Sequence, residues 1–140
     1  MKLLLSLAAS LLFLASVSTG LADSKIPSLV GKWSVKSEGA IMLRGASPGS
    51  NTHWTKNQKS LVGEVTVTAQ EGRVIHGIFK SPKGAEPFLA VIGADKGLYL
   101  ADSDGFLDGR IINRNTVQVV YRQVTAKDTV VAVGIWTRVK

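Results

Sequence analysis

Between Val30 and Val139 the chain never holds a helical period over a useful length, and turn signals break it into short apolar runs. The breaks are Glu71-Gly72, Pro82-Lys83-Gly84, Asp95-Lys96-Gly97, Asp104-Gly105, Asn113-Arg114-Asn115 and Ala126-Lys127-Asp128. Gly, Asn and Asp supply the positive backbone angles that tight hairpins require. Strands are therefore predicted near Val30–Arg44 (kinked at Glu38-Gly39), Leu61–Gln70, Arg73–Lys80, Pro87–Gly93, Leu98–Ala101, Phe106–Ile112, Thr116–Val124 and Thr129–Val139. The fold class that follows is all-β, a single antiparallel up-and-down barrel of about eight strands. Closure removes the unpaired edges of an open sheet and leaves an interior wide enough for side chains or one small ligand. The last strand has Val131, Val133 and Ile135 on one face and Val130, Ala132 and Trp136 on the other, so it needs cover on both.

The first residues read differently. Met1-Lys2 is a positive start, Leu3 to Val17 is apolar apart from small residues, and Ser18 to Ala22 is a small-residue exit. The run is shorter than the roughly 20 residues of a membrane span, and Gly20 and Asp23 end it. Residues 1–22 are thus expected to be a secretory signal peptide, leaving residues 23–140 as one periplasmic or secreted domain with no transmembrane segment. A domain of this length buries roughly 65% of the surface its unfolded chain exposes, enough to hold without disulfides. The chain contains no Cys, which also excludes lipid attachment at a cysteine.

Lys and Arg number 17 against 10 Asp and Glu, for a formal charge of +7, and only Lys2 leaves with the signal. Weak attraction to anionic surfaces follows. The basic residues are scattered, however, whereas nucleic-acid readers concentrate charge on one face with stacking aromatics between, so no nucleic-acid partner is expected. An outer-membrane barrel would need strands of about 9–11 residues, a lipid-facing band and aromatic girdles. Several strands here are shorter, and the chain has only 3 Trp, 2 Tyr and 4 Phe.

Gly31-Lys32-Trp33 opens the first strand and Arg138 stands near the end of the last. This pairing resembles the signature of the calycin superfamily, which includes lipocalins, fatty-acid-binding proteins and avidins. The resemblance implies a calycin-like barrel whose closed end is plugged by Trp33, with Arg138 lying as a cation over the indole. Within that superfamily the avidin-like pattern is nearest. His76-Gly77-Ile78-Phe79-Lys80-Ser81 resembles its Thr-Gly-Thr-Tyr-x-Ser third strand, and Val133 to Val139 resembles its closing strand. The biotin contacts do not carry over: the family's Asn two positions after the opening Trp is Val35, its third-strand Tyr is Phe79, and its last-strand Asp is Gly134. Only Ser81 matches. Each lost oriented hydrogen bond costs roughly 1.5–3 kcal/mol, so biotin binding is not expected.

No catalytic residue, metal site or cofactor is expected from the motifs. His53 and His76 lie in different segments, with no HExxH and no Gly-x-Ser-x-Gly elbow. His76 alternates with Val74 and Ile78, as a satisfied half-buried histidine does. Trp54 sits in the long polar loop Gly45–Ser60 between His53 and Lys56, an exposed-looking aromatic suited to a lid or contact anchor, with a disordered loop as the alternative. In Asp102-Ser103-Asp104-Gly105-Phe106-Leu107-Asp108 the position where a calcium loop needs a third oxygen is Phe106, so Asp104-Gly105 reads as a hairpin turn. Asp102 and Asp108 remain a candidate cross-strand carboxylate pair with raised pKa.

The favoured expectation is a non-enzymatic binding protein holding a small, partly apolar ligand. Its candidate ligand-binding residues are Trp54, His76, Phe79, Tyr99, Phe106 and Tyr121, while Trp33 and Arg138 are structural. One alternative is protein recognition: periplasmic protease inhibitors of calycin type use an N-terminal arm, here Asp23 to Val30, although they usually carry a disulfide. The other is a barrel-cavity isomerase or cyclase with His76 as base, which rests on fold analogy. Inside and outside stay open, because Ile75 and Phe79 make one face of the third strand apolar while Val74 and Ile78 do the same for the other. A homodimer through the doubly apolar last strand is a further expectation.

Overall fold

The computed structural model describes residues 25–44 and 53–140, so the signal-peptide reading of residues 1–22 lies outside the described residues. Eight strands follow one another: β1 (Gly31–Leu43), β2 (Ser60–Glu71), β3 (Val74–Ser81), β4 (Gly84–Ile92), β5 (Gly97–Ala101), β6 (Gly105–Asn113), β7 (Thr116–Val124) and β8 (Asp128–Arg138). Each pairs antiparallel with the next, and β8 pairs with β1, closing the barrel. The fold class expected from the turn spacing is the one observed.

One strand limit departs from the expectation for a physical reason. β4 starts at Gly84, three residues before Pro87. Proline is tolerated there because Pro87 pairs only with Ile78, while β5 meets β4 only from Leu89 to Ile92, so no ladder bond is lost on the far side. β1 leaves β2 at the pair Glu38–Ser60 and continues on β8 alone to Leu43, which is where the kink at Glu38-Gly39 was expected.

Alternation now has a definite inside. Trp33 and Val35 of β1, Val65 and Val67 of β2, Ile75 of β3, Phe88, Ala90 and Ile92 of β4, Leu98 and Leu100 of β5, Leu107 and Ile111 of β6, Val117 and Val119 of β7, and Trp136 of β8 form one buried core. Val131, Val133 and Ile135 face outward, and so do the charged Lys36, Glu38, Glu64, Arg110 and Arg122. In β3 the inner face is Ile75, Gly77, Phe79 and Ser81. That face looked weak in sequence because Gly77 lacks a side chain. The ring of Phe88, on the paired strand, occupies the space a Cβ there would need.

One end of the barrel is plugged. Trp33 is fully buried and donates from its indole nitrogen to the Leu29 carbonyl at 2.9 Å. Arg138 lies 4.2 Å from the Trp33 ring centroid and donates to the carbonyls of Ser28, Val30 and Arg114. Gln70 accepts from the Leu29 amide and donates to the Pro27 carbonyl, and Leu29 itself is buried. Residues 26–30 are therefore built into the plug and do not project as an arm; Asp23 and Ser24 lie outside the described residues.

Candidate functional site

The opposite end holds a hollow. Its floor is Trp136 with Phe88, the two rings 6.1 Å apart, and its roof is Trp54. Val35, Leu61, Val65, Phe79, Leu100, Leu107, Val119 and Ala132 complete the apolar wall. About 60 Å³ is open to the centre of a water-sized sphere, space for about four waters at the volume each occupies on that measure.

Trp54 corrects the expectation of an exposed anchor. It is only 3% exposed, packs with Leu61, Val130 and Ala132, and its carbonyl accepts from Lys83 Nζ at 2.7 Å. A large indole beside a barrel mouth gains more from covering the apolar interior than from facing water.

Polar groups gather around the mouth. His53 Nδ1 lies 2.6 Å from Ser81 Oγ and its Nε2 lies 3.4 Å from Glu86 Oε2. Glu86 Oε1 accepts from the backbone amide of Ser103 at 3.1 Å and from its hydroxyl. Asp102 Oδ1 accepts from the amides of Asp104 and Gly105, closing the β5–β6 turn. Oxygen atoms of Glu86, Asp102 and Asp104 come within 4.8 Å of one another. Burial, then the charge of Glu86, holds the Asp102 carboxyl above its ordinary value. Burial pushes Asp104 up to about 6 against a lowering hydrogen bond from Tyr121, with Glu86 and Asp102 adding repulsion. The three carboxylates carry six oxygens, and calcium takes roughly six to eight, but both oxygens of Glu86, Asp102 Oδ1 and Asp104 Oδ1 are already engaged by Ser103, His53, backbone amides and Tyr121.

A hydrogen-bonded chain runs from Asp104 across the mouth. Tyr121 OH lies 3.0 Å from Asp104 Oδ1 and 3.1 Å from Gln123 Oε1, and Gln123 Nε2 donates to Asp128 Oδ1 at 2.7 Å. Gln123 and Asp128 are almost wholly buried. One phenolic proton cannot serve two acceptors fully. The chain is complete when Asp104 is protonated and donates to the Tyr121 oxygen, freeing the phenolic proton for Gln123. Burial also holds the Tyr121 phenol above its ordinary value, so it stays a donor.

Of the residues singled out from the sequence, the barrel brings Trp54, Phe79 and Tyr121 to the hollow and leaves the other three outside. His76, Tyr99 and Phe106 face outward, Tyr99 at 48% and Phe106 at 66% exposure, alongside Val74, Leu89 and Val91. Their strands alternate in the opposite phase: Gly77, Leu98 and Leu107 are the inward neighbours. His76 is thus no base for cavity chemistry. Asp102 and Asp108 do not pair either, because Asp108 is on the outer face of β6, where Arg122 meets it as an ion pair.

Sequence reasoning missed Glu86 and the contact between His53 and Ser81. Glu86 falls between the predicted turn Pro82-Lys83-Gly84 and the predicted strand from Pro87, yet it shares the parity of Phe88, Ala90 and Ile92, and carrying that alternation two residues back finds it. His53 and Ser81 are 28 positions apart, and nothing local links them. The trio Ser81, His53 and Glu86 has the members of a nucleophile, base and orienting acid. Its hydroxyl, however, accepts from the Lys83 amide within the β3–β4 turn and is not part of the hollow's lining. The arrangement holds the residues after the long loop against the β3–β4 hairpin.

Fold and site together define an eight-stranded antiparallel β-barrel with one plugged end and one hollow, acid-rimmed end. No protein-family model matches the chain. No curated protein matches it either. Among solved structures it is similar to a redesigned β-barrel, at TM-score 0.50 and 7% identity, over 80% of this chain and 92% of that one. That likeness is one of fold.

Proposed function

We propose that the chain is an exported, non-enzymatic binding protein of calycin-like type that holds one small, partly apolar molecule in the open end of its barrel. The observation carrying this reading is the hollow itself: a mostly apolar chamber bounded by Trp54 and Trp136, with five polar side chains among its described lining residues. Binding sites for small molecules have that lining, apolar with a few placed polar atoms. The stack of Arg138 on Trp33 supports the calycin-like part. Export rests on residues 1–22 as a signal peptide.

Native mass spectrometry of the protein from its own source, set against the same protein denatured and refolded, tests the reading. A discrete extra mass that refolding removes is expected. The bare chain mass in both samples counts against it. The protease-inhibitor alternative is weakened by the docking of Ile26 and Leu29 into the plug, and the cavity-enzyme alternative by the outward position of His76.

A further inference from the structure

The lining of the hollow is chemically lopsided. Among the described residues, the polar side chains that enter it are Ser37, His53, Glu86, Asp102 and Tyr121, apart from the indole nitrogens, and two of those five are carboxylates. Neither Glu86 nor Asp102 forms an ion pair with Lys or Arg among the described residues. Asp104 stands beside them, so three of the ten acidic residues of a chain with net charge +7 converge on one opening. Charge of one sign beside low-dielectric walls concentrates its field in the opening. The rest of the cavity gives such a field a purpose that a bare acidic surface lacks, since Phe79, Phe88 and Trp136 wall an apolar chamber directly beneath it.

We propose that the ligand is a small organic amine, its ammonium group received by Glu86 and Asp102 and its single-ring apolar body seated between Phe79, Phe88 and Trp136. This rests on the binding-barrel reading above. An ammonium has three donors and no acceptor, which matches a rim whose carboxylates are drawn out of water and crowded by one another. A carboxylate ligand meets like charge at the same rim, and a neutral ligand leaves Asp102 with no basic partner among the described residues and Glu86 with His53 alone. Space for about four waters beyond the walls suits one ring and excludes a long acyl chain.

Three one-ring probes of nearly equal size separate the outcomes: benzylamine, benzyl alcohol and benzoate, titrated into the intact protein by calorimetry and by fluorescence of the two tryptophans bounding the hollow. Benzylamine is expected to bind at least about ten-fold more tightly than benzyl alcohol, the scale of one charge-assisted hydrogen bond, with benzoate weakest. The variant combining Glu86→Gln and Asp102→Asn should lose that preference and keep its affinity for benzyl alcohol. Equal binding of amine and alcohol by the unaltered chain overturns the amine class and leaves the binding barrel standing. Binding of none of the three overturns both for ligands of this size. An amine preference surviving the double variant overturns the assignment of the ammonium to these two carboxylates. Should the double variant not fold, the ranking of the three probes on the unaltered chain still decides.

Discussion

Gly77 is where a single atom matters most. A methyl group there would overlap the Phe88 ring, which itself packs on Trp136 at the floor of the hollow. Gly77→Ala is expected to cost about 1–3 kcal/mol, as overpacking of a tight core does, measured as a lower denaturant midpoint. Phe88→Leu in the same chain should return part of the loss, so that the two changes couple. Asp104 sets a second expectation, this one in pH. Its native pKa, about 6, lies above its ordinary 3.8, so the folded state holds this proton more tightly than the unfolded one. Its contribution to stability is therefore greatest in acid and declines as pH rises from 3.8 through about 6. Asp104→Asn should melt higher than the unaltered protein at pH 7 and lose that advantage near pH 4, because an amide can donate to Tyr121 at every pH. The sequence displayed the acids of this turn but not this role, since the partner Tyr121 comes from β7, 17 positions away.

At the scale of elements, turns were more legible than faces. Gly, Asn and Asp announce hairpins locally, and the strand limits fall within one residue or so of them, except where Pro87 hid the start of β4. Faces depend on parity, and parity fails to the eye where inward positions carry Gly, Ser or Glu, as in β3 and β4. For that reason His76, Tyr99 and Phe106 looked like cavity residues while Glu86 passed unnoticed. The plug was legible in part: Gly31-Lys32-Trp33 and Arg138 were visible, but the segment before them gave no sign that Leu29 would be buried beneath Arg138. Arg138→Lys keeps the charge and loses the planar fork that reaches the carbonyls of Ser28, Val30 and Arg114. It is expected to cost on the order of 2 kcal/mol, a cation–π contact and oriented hydrogen bonds together, seen by thermal melting. Ligand binding at the far end should survive, which calorimetry with benzylamine checks.

For the whole molecule, closure is the property the sequence foretold best, through a last strand apolar on both faces; on its outer face Val131, Val133 and Ile135 stay exposed beside Arg122, Glu38 and Lys36. The seams are unequal. β4 and β5 share four residue pairs, whereas β1 and β8 share eleven. Amide protons of β5 are expected to exchange with solvent before those of β1 and β8, read by hydrogen exchange. Seven seams join strands that are neighbours along the chain, but the eighth joins Trp33 to Arg138, 105 residues apart. The first seven strands can pair in chain order as folding proceeds, yet until Asp128–Arg138 docks on β1 the sheet carries two bare edges and an uncovered apolar face. A chain lacking Asp128–Arg138 would therefore be no looser version of this barrel but an open sheet, the form that holding chaperones and proteases meet first.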